Sequence, residues 1–158
     1  MSGDSAIRQQ LVKTLRGGNA FDPFDEILAA VPSNGRFTRV NGEGRSAWEI
    51  VEHMRRSIED LCDFTDNADG SYREKEWPRE YWPEAAEPDG NESWDGSLEA
   101  YRAAIQRMEG LILDSGRRLT AAFPWGDGQS LLHEALLAIE HNAYHLGELV
   151  ELMAALGD

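Results

Sequence analysis

The chain has 158 residues, of which 29 are Asp or Glu and 15 are Lys or Arg, so its formal net charge at pH 7 is -14. A surface this acidic repels phosphate backbones and anionic lipid headgroups, which argues against nucleic acid and membranes as partners. The length predicts a single domain over residues 1–158, large enough to bury about 70% of the surface that its unfolded chain exposes.

Cysteine content and hydropathy predict a cytoplasmic protein. Cys62 is the one cysteine in the sequence, so the chain can form no internal disulfide, as is usual in a reducing compartment. The segment MSGDSAIRQQ has no apolar run typical of a secretory signal. No window approaches the roughly 18 apolar residues that a membrane-spanning helix needs.

In chain order, the predicted elements are all helices. A first helix is expected from about Asp4 to Arg16; it stops at Gly17-Gly18 and resumes from Asp22 to Val31, before Pro32. A loop rich in Gly and Asn follows. Ser46 and Glu49 form an S-x-x-E capping box that starts the second helix, whose apolar periodicity continues through Ala68.

Residues 69–92 carry prolines, glycines and aromatic side chains and predict a long irregular connection, a feature that in compact domains is often functional or mobile. The third helix is expected from Ser93 or Ser97 to Asp114, with a further turn near 117–122. Ser130 caps a fourth helix that continues to about Leu156. No segment alternates as a strand does, so the predicted class is all-α, most simply a four-helix bundle.

The fourth helix carries three of the four histidines of the chain. At about 100° per residue, Leu132, Leu136 and Val150 lie at the centre of its apolar arc, which Leu131, Ala138 and Leu149 widen on one side. His133 falls in the polar arc and is predicted to be on the surface. His141 and His145 share the edge of the apolar arc, one turn apart, a spacing at which two imidazoles can bind one metal ion.

The second helix carries the remaining histidine. Its predicted buried arc contains Met54, Ile58 and Cys62 among others, and its predicted solvated arc contains Glu52, Glu59, Asp63 and Asp66. His53 falls at the boundary, near Ser57 and Phe64.

Two facing helices would bring His53, His141 and His145 together as three neutral imidazoles with an open coordination position, the pattern of a catalytic metal site. The alternative is three histidines with capping or surface roles, because a spacing of four is by itself a weak motif. The segment HNAYH also lacks the glutamate of H-E-x-x-H, which argues against a peptidase of the zincin type.

Three segments, GGNAFDPF, SAWEIVEHMRRSIEDL and FPWGDGQSLLHEALLAIEHNAYHLGELVELMAALG, together resemble the DinB/YfiT-like superfamily. The resemblance covers nearly the whole chain and implies a four-helix bundle, often a homodimer, that holds a divalent metal ion, zinc or nickel, with a histidine triad. On that pattern the metal ligands are His53, His141 and His145. Where related sequences commonly have Gln after HLG, this chain has Glu148, for which solvation or an interaction with a ligand imidazole is expected rather than direct ligation.

The resemblance also implies a class of chemistry. Some members of the superfamily are transferases of low-molecular-weight thiols such as bacillithiol, mycothiol or glutathione, and others resemble isomerases that act on thiol adducts. The leading hypothesis is therefore a metal-dependent thiol S-transferase that acts on electrophilic small molecules. The alternatives are a metal-dependent hydrolase and a non-catalytic metal-binding stress-response dimer.

Several aromatic residues are candidates for lining a substrate pocket. These are Trp48, Trp77, Tyr81, Trp82 and Trp94, for each of which a role in the core or as a loop anchor is at least as well supported by the sequence. Tyr144 lies on the polar side of its helix and has no assigned role. Cys62 lies in the buried arc and is interpreted as a packing residue and not as a nucleophile.

Overall fold

The computed structural model describes residues 3–88 and 93–157, which form an all-α structure. It contains five α-helices, α1 (Gly3–Leu15), α2 (Phe24–Ala30), α3 (Ala47–Thr65), α4 (Trp94–Leu113) and α5 (Leu131–Gly157), and a short 3-10 helix (Val40–Gly42). Within these residues no strand is present, and no helix is long and apolar enough to span a bilayer. The predicted all-α class is confirmed.

Helix boundaries follow the predictions closely at their beginnings. The capping box is present at α3, where the Ser46 backbone N–H donates to Glu49 Oε2 (2.8 Å) and the Glu49 N–H donates to Ser46 Oγ (3.2 Å). Ser93, rather than Ser97, caps α4. Two expectations were wrong: α3 ends at Thr65 rather than Ala68, and residues 117–122 form turns instead of a helical turn.

The helices run in an up-down-down-up order that follows from their contacts. Cys62 packs near the Ala104 carbonyl and Trp48 donates to Ser97, so α3 and α4 are parallel. Arg8 reaches the Ile112 carbonyl at the far end of α4, which makes α1 antiparallel to it. Both α4 and α5 pack against α1 and against α3, and α3 and α5 run antiparallel.

A parallel pair needs a connection that returns along the bundle, and the long connection after α3 supplies it. Three hydrogen bonds hold this connection against α3. They are Lys75 Nζ to the Arg56 carbonyl (2.9 Å), the Tyr81 hydroxyl to Asp60 (2.7 Å), and Ser46 Oγ to the Ala86 carbonyl (2.7 Å). Residues 72–86 thus run back along α3 from its C-terminal half to its N-cap, Ser46. Residues 89–92 of the predicted connection lie outside the described residues.

The buried face of α5 is rotated from the centre of the predicted apolar arc toward the side that Leu131, Ala138 and Leu149 widen. Leu136 and Val150, at the centre of the predicted apolar arc, are 51% and 45% exposed. The most deeply buried positions are centred about 80° away on the wheel; they are Leu131, Ala135, Ala138, Asn142, Leu146 and Leu149. Because both parts of the arc are apolar, hydropathy did not distinguish them, and the rotation moves His145 into the interior.

The prediction that Glu52 is solvated was wrong. This residue belongs to the predicted solvated arc of its helix, yet it is buried, and its carboxylate pairs with Arg55 (2.7 Å) and Arg56 (3.5 Å). Two arginines one turn further along the helix compensate its charge, which a wheel that scores residues singly does not register.

Candidate metal centre

Three histidines from two helices converge at one point between α3 and α5. One ring nitrogen from each of His53, His141 and His145 lies within 4.8 Å of the other two. The Nε2 atoms of His53 and His141 are 3.1 Å apart. The antiparallel packing of α3 on α5 brings His53, the single histidine of α3, against the i, i+4 pair of α5. The structure therefore brings together the three residues that the sequence predicts as metal ligands.

His53 is held from outside the cluster by the long connection. Its Nδ1 lies 3.2 Å from the Tyr81 carbonyl oxygen, to which it donates, so Nε2 faces the centre without a proton. The indole of Trp82 stacks on the imidazole with ring centroids 3.8 Å apart and planes 7° apart. Together these contacts fix both the tautomer and the orientation of the ring.

His145 is oriented in the same manner by Glu148. The Glu148 carboxylate accepts a hydrogen bond from His145 Nδ1 (2.7 Å), which leaves Nε2 as the free nitrogen of that ring. Glu148 is not among the three clustered residues. Its contact with the His145 imidazole is one of the two roles expected from the sequence, and it fixes the orientation of that ring.

His141 has a different environment. Its Nδ1 is buried and has no hydrogen-bond partner in the described part of the chain, and its Nε2 carries the proton that is shared with His53 Nε2. Burial, and then the neighbouring His145 and His53, lower the pKa of His141 to about 3. Burial and His145 likewise lower the pKa of His53 to about 4.

These pKa shifts make His53 and His141 neutral at pH 7. Neutral imidazoles offer a nitrogen lone pair, and binding of a cation at the cluster would displace the one proton that the two Nε2 atoms share. Three imidazole nitrogen donors, two of them with a hydrogen-bonded outer nitrogen, fit zinc or nickel better than a hard cation that prefers oxygen. The cluster therefore has the donor set and the spacing to hold a divalent transition-metal ion.

The cluster opens into a cleft of about 1260 Å³. The cleft lies between α3, α5, residues 72–82 of the long connection and residues 125–129. Ser57 and Phe64, which the wheel places beside His53, line it as well. The histidines thus face a space large enough for a small molecule.

The aromatic residues proposed as pocket walls divide into two groups. Trp77, Tyr81 and Trp82 line the cleft, whereas Trp48 and Trp94 are buried in the core at 3% and 4% exposure. The first group belongs to the long connection, which forms the outer wall of the cleft.

Three further predicted assignments can be compared with the structure. Cys62 is fully buried and burial raises the pKa of its thiol to about 12, so it packs in the core as predicted. His133 is exposed, as predicted, and lies along the cleft away from the triad. Tyr144, 69% exposed, lies at the rim of the cleft with its ring edge-on to His145 (4.9 Å).

The other end of the cleft is acidic and was not predicted. Asp60 of α3 and Glu134 of α5, here called the acidic end, both line the cleft and are 8% and 3% exposed. Each lies seven residues from a triad histidine, His53 or His141, and seven residues return a helix to nearly the same face. The seven-residue spacing from the histidines is the feature of the sequence from which the acidic end could have been predicted.

Taken together, the fold and the site define an all-helical domain with a three-histidine candidate metal centre at one end of an open cleft. A sequence model of the DinB superfamily matches residues 19–149, a range that contains all three histidines. The chain belongs to the DinB superfamily, a metal-binding family. No curated protein and no solved structure shows a significant match to it.

Proposed function

We propose that this protein is a metal-dependent thiol S-transferase that acts on electrophilic small molecules, with His53, His141 and His145 as the ligands of a zinc or nickel ion. The observation that carries the proposal is the position of the three clustered imidazoles in the lining of a cleft of about 1260 Å³. Three protein ligands leave an open position, and an open position beside a cleft is the arrangement of catalytic rather than structural metal sites.

A bound divalent ion would lower the pKa of a thiol and so supply a thiolate nucleophile at neutral pH. In the reaction that we propose, the thiol sulfur forms a bond to an electrophilic carbon, the leaving group departs with the bonding electron pair, and the thiol proton is released to solvent. Trp82, stacked on His53, and Trp77, edge-on to the same ring, lie beside the triad on the side of the long connection and offer aromatic surface to a bound substrate.

The experiment is a panel of thiols with one generic electrophile, monochlorobimane. Protein loaded with zinc or with nickel is assayed with bacillithiol, mycothiol, glutathione or no thiol. We expect conjugate formation that requires both the metal and one of these thiols. Turnover of ester substrates that requires the metal and no thiol would favour a hydrolase instead. Metal binding without turnover of either kind would favour a non-catalytic metal-binding protein.

The chain offers a matched control for this assay. His145→Ala removes a proposed ligand, whereas His133→Ala removes an exposed histidine of the same helix and the same cleft. We expect activity to be lost in the first variant and retained in the second. Equal activities in both would contradict the assignment of the triad.

A homodimer in the cytoplasm remains part of the proposal. The exposed apolar side chains Leu136 and Val150 on α5, together with Ile7 on α1, support an interface on that side of the bundle. Light scattering after size exclusion should give about twice the mass of one chain, and Leu136→Glu should shift it toward the monomer. A monomeric wild-type protein would contradict this part.

A further inference from the structure

Glu134 is a buried residue whose carboxylate has no hydrogen-bond or ion-pair partner in the described residues; the charged groups that act on it are His133 and Asp60. The side chain lines the cleft, the residue is 3% exposed, and neither a hydrogen bond nor an ion pair reaches its carboxylate within residues 3–88 and 93–157. Leaving a carboxylate buried and unpaired is costly, and other buried carboxylates of this chain, such as Glu49 and Glu52, are paired with arginines. An unpaired buried group that faces a cleft is explained by a partner that the ligand supplies.

Asp60 faces the same end of the cleft from α3. Its Oδ2 accepts a hydrogen bond from the Tyr81 hydroxyl (2.7 Å), while its Oδ1 is buried and lacks a hydrogen-bond partner in the part of the chain that the structure describes. Lys75 Nζ lies 3.9 Å from Oδ1 and donates instead to the Arg56 carbonyl. After burial, the charge of Asp60 is a further cause of the raised pKa of Glu134, so the two carboxylates share one electrostatic environment.

The lining of the whole cleft, like its acidic end, carries a net negative charge. Its described lining contains five carboxylates against one guanidinium; these residues are Asp60, Glu74, Asp127, Glu134, Glu148 and Arg45. Arg45 lies over the Trp82 ring (4.6 Å to the centroid) at the histidine end, and His133 acts against the raised pKa of Glu134. A cation is therefore favoured at the acidic end and an anion is disfavoured there.

Aromatic rings surround this end and add to the attraction for a cation. Tyr72, Phe64 and Trp125 line the cleft there, with the Trp125 indole donating to the Phe64 carbonyl (2.8 Å). Faces of such rings attract ammonium groups at short range. Carboxylates and aromatic rings together are the surroundings in which proteins bind organic amines.

We propose that Glu134 and Asp60 bind the ammonium group of an amine-bearing small molecule whose reactive group lies at the histidines. Seven residues separate Glu134 from His141 and Asp60 from His53, a rise of about 10 Å in each helix. The ligand is thus an extended molecule with a cationic amine about 10 Å from its reactive group. The position of the reactive group rests on the proposed function, whereas the amine subsite itself does not.

Binding of octylamine to metal-free protein tests the subsite independently of the metal and of turnover. By calorimetry at pH 7, we expect octylamine to bind the wild-type protein and octanol, its uncharged counterpart, to bind at least about tenfold more weakly. Glu134→Gln should weaken octylamine binding about tenfold, and Asp60→Asn should weaken it as well. Equal binding of the amine and the alcohol would overturn the proposal.

Glu140→Gln is the matched control, because it makes the same chemical change at an exposed position of the same helix. Octylamine should bind this variant as it binds the wild type. A melting temperature of Glu134→Gln equal to that of the wild type shows that the variant is folded, and Glu134→Asp, which keeps the charge, should retain part of the affinity. Octylamine binding that Glu134→Gln leaves unchanged would overturn the proposal.

A second experiment distinguishes whether the thiol or the electrophile carries the amine. With metal-loaded protein, an amino-alkanethiol of eight carbons is compared with octanethiol, and an amine-bearing electrophile with its uncharged analogue. An increase in KM that Glu134→Gln causes only for the amine-bearing thiol assigns the subsite to the thiol, and one only for the amine-bearing electrophile assigns it to the electrophile. Glu134-dependent octylamine binding in a protein without thiol transfer would support the subsite while contradicting the proposed function.

Discussion

Two buried carboxylates, Glu49 at the start of α3 and Glu134 at the acidic end of the cleft, have opposite environments. Glu49 is fully buried and accepts hydrogen bonds from Arg39, Arg45 and the Ser46 N–H. Burial alone would raise its pKa, but these partners lower it. Glu134 is almost as buried, has no such partner in the described residues, and its pKa is raised by burial.

This difference separates charges that stabilise the fold from charges that are available to a ligand. Glu49 joins the capping box of α3 to two arginines, so its hydrogen-bonding capacity is used within the chain. The buried Nδ1 of His141 has no hydrogen-bond partner in the described structure, no hydrogen bond or ion pair reaches the Glu134 carboxylate there, and both residues line the cleft. Unpaired buried groups are rare in folded proteins and indicate a binding site when they occur together.

The largest expected effect belongs to the triad. His141→Ala should weaken the binding of zinc or nickel by more than about 100-fold, because loss of a partner outside the ligand shell already costs roughly 10–100-fold. Since His141 has an unpaired nitrogen, the metal-free variant should unfold within about 1.5 kcal/mol of the wild type. Competition with a chelator of known affinity measures the first quantity and denaturant unfolding the second.

The same titration with His133→Ala is the control for His141→Ala. Its metal affinity should equal that of the wild type. If His141→Ala lost stability and kept its metal affinity, His141 would be, like Glu49, a residue that stabilises the fold and not a metal ligand.

The next effect concerns stability alone. Glu49→Gln should lower the free energy of unfolding by about 1.5–3 kcal/mol, because the hydrogen bonds to Arg39 and Arg45 lose their charge assistance. Metal affinity should be unchanged. Urea unfolding measures the stability and the chelator competition measures the metal affinity. A change in metal affinity with no change in stability would contradict the structural role of Glu49.

Glu148→Ala should have an intermediate effect on metal binding. Without the acceptor for His145 Nδ1, the imidazole loses its fixed tautomer, and affinity for the metal should fall about 10–100-fold. The effect on folding should be small, below about 1 kcal/mol, because the Glu148 side chain is 41% exposed. Glu151→Ala, at an exposed position one turn further along α5, should change neither quantity.

The smallest effect on stability is expected for Glu134→Gln. At pH 7 the free energy of unfolding should stay the same or rise by up to about 1 kcal/mol, because the variant removes a buried unpaired charge. The folded-state pKa of Glu134 is raised, so the group contributes stability below its unfolded value of about 4.5 and loses it as the pH rises through the folded value. The difference between Glu134→Gln and the wild type should therefore grow from pH 4 to pH 7.

Glu49 should show the opposite pH dependence. Its folded-state pKa is lowered, so its contribution is present above about 4.5 and is lost as the pH falls through the folded value. Urea unfolding from pH 3 to pH 7 should therefore show the deficit of Glu49→Gln shrinking toward low pH. If both variants followed the same pH trend, the distinction between the two carboxylates would fail.

The sequence predicted the all-α class and the i, i+4 histidine pair from local patterns, whereas the third histidine, His53, came from the resemblance to a known family and from the expectation of two facing helices. The capping box at Ser46 and the i, i+4 spacing of His141 and His145 are readable within one helix. What the sequence did not determine was which part of the broad apolar arc of α5 packs inward, since this depends on the neighbours that α5 contacts. The partners of Glu52 and the unpaired state of Glu134 are likewise properties of the packed structure.

Metal content of tag-free protein, purified without chelators and incubated with zinc or nickel, tests the central claim most directly. We predict one divalent ion per chain for the wild type and for His133→Ala, and none for His145→Ala after dialysis. A wild-type protein that retains no ion, or a His145→Ala variant that retains as much as the wild type, would contradict the account.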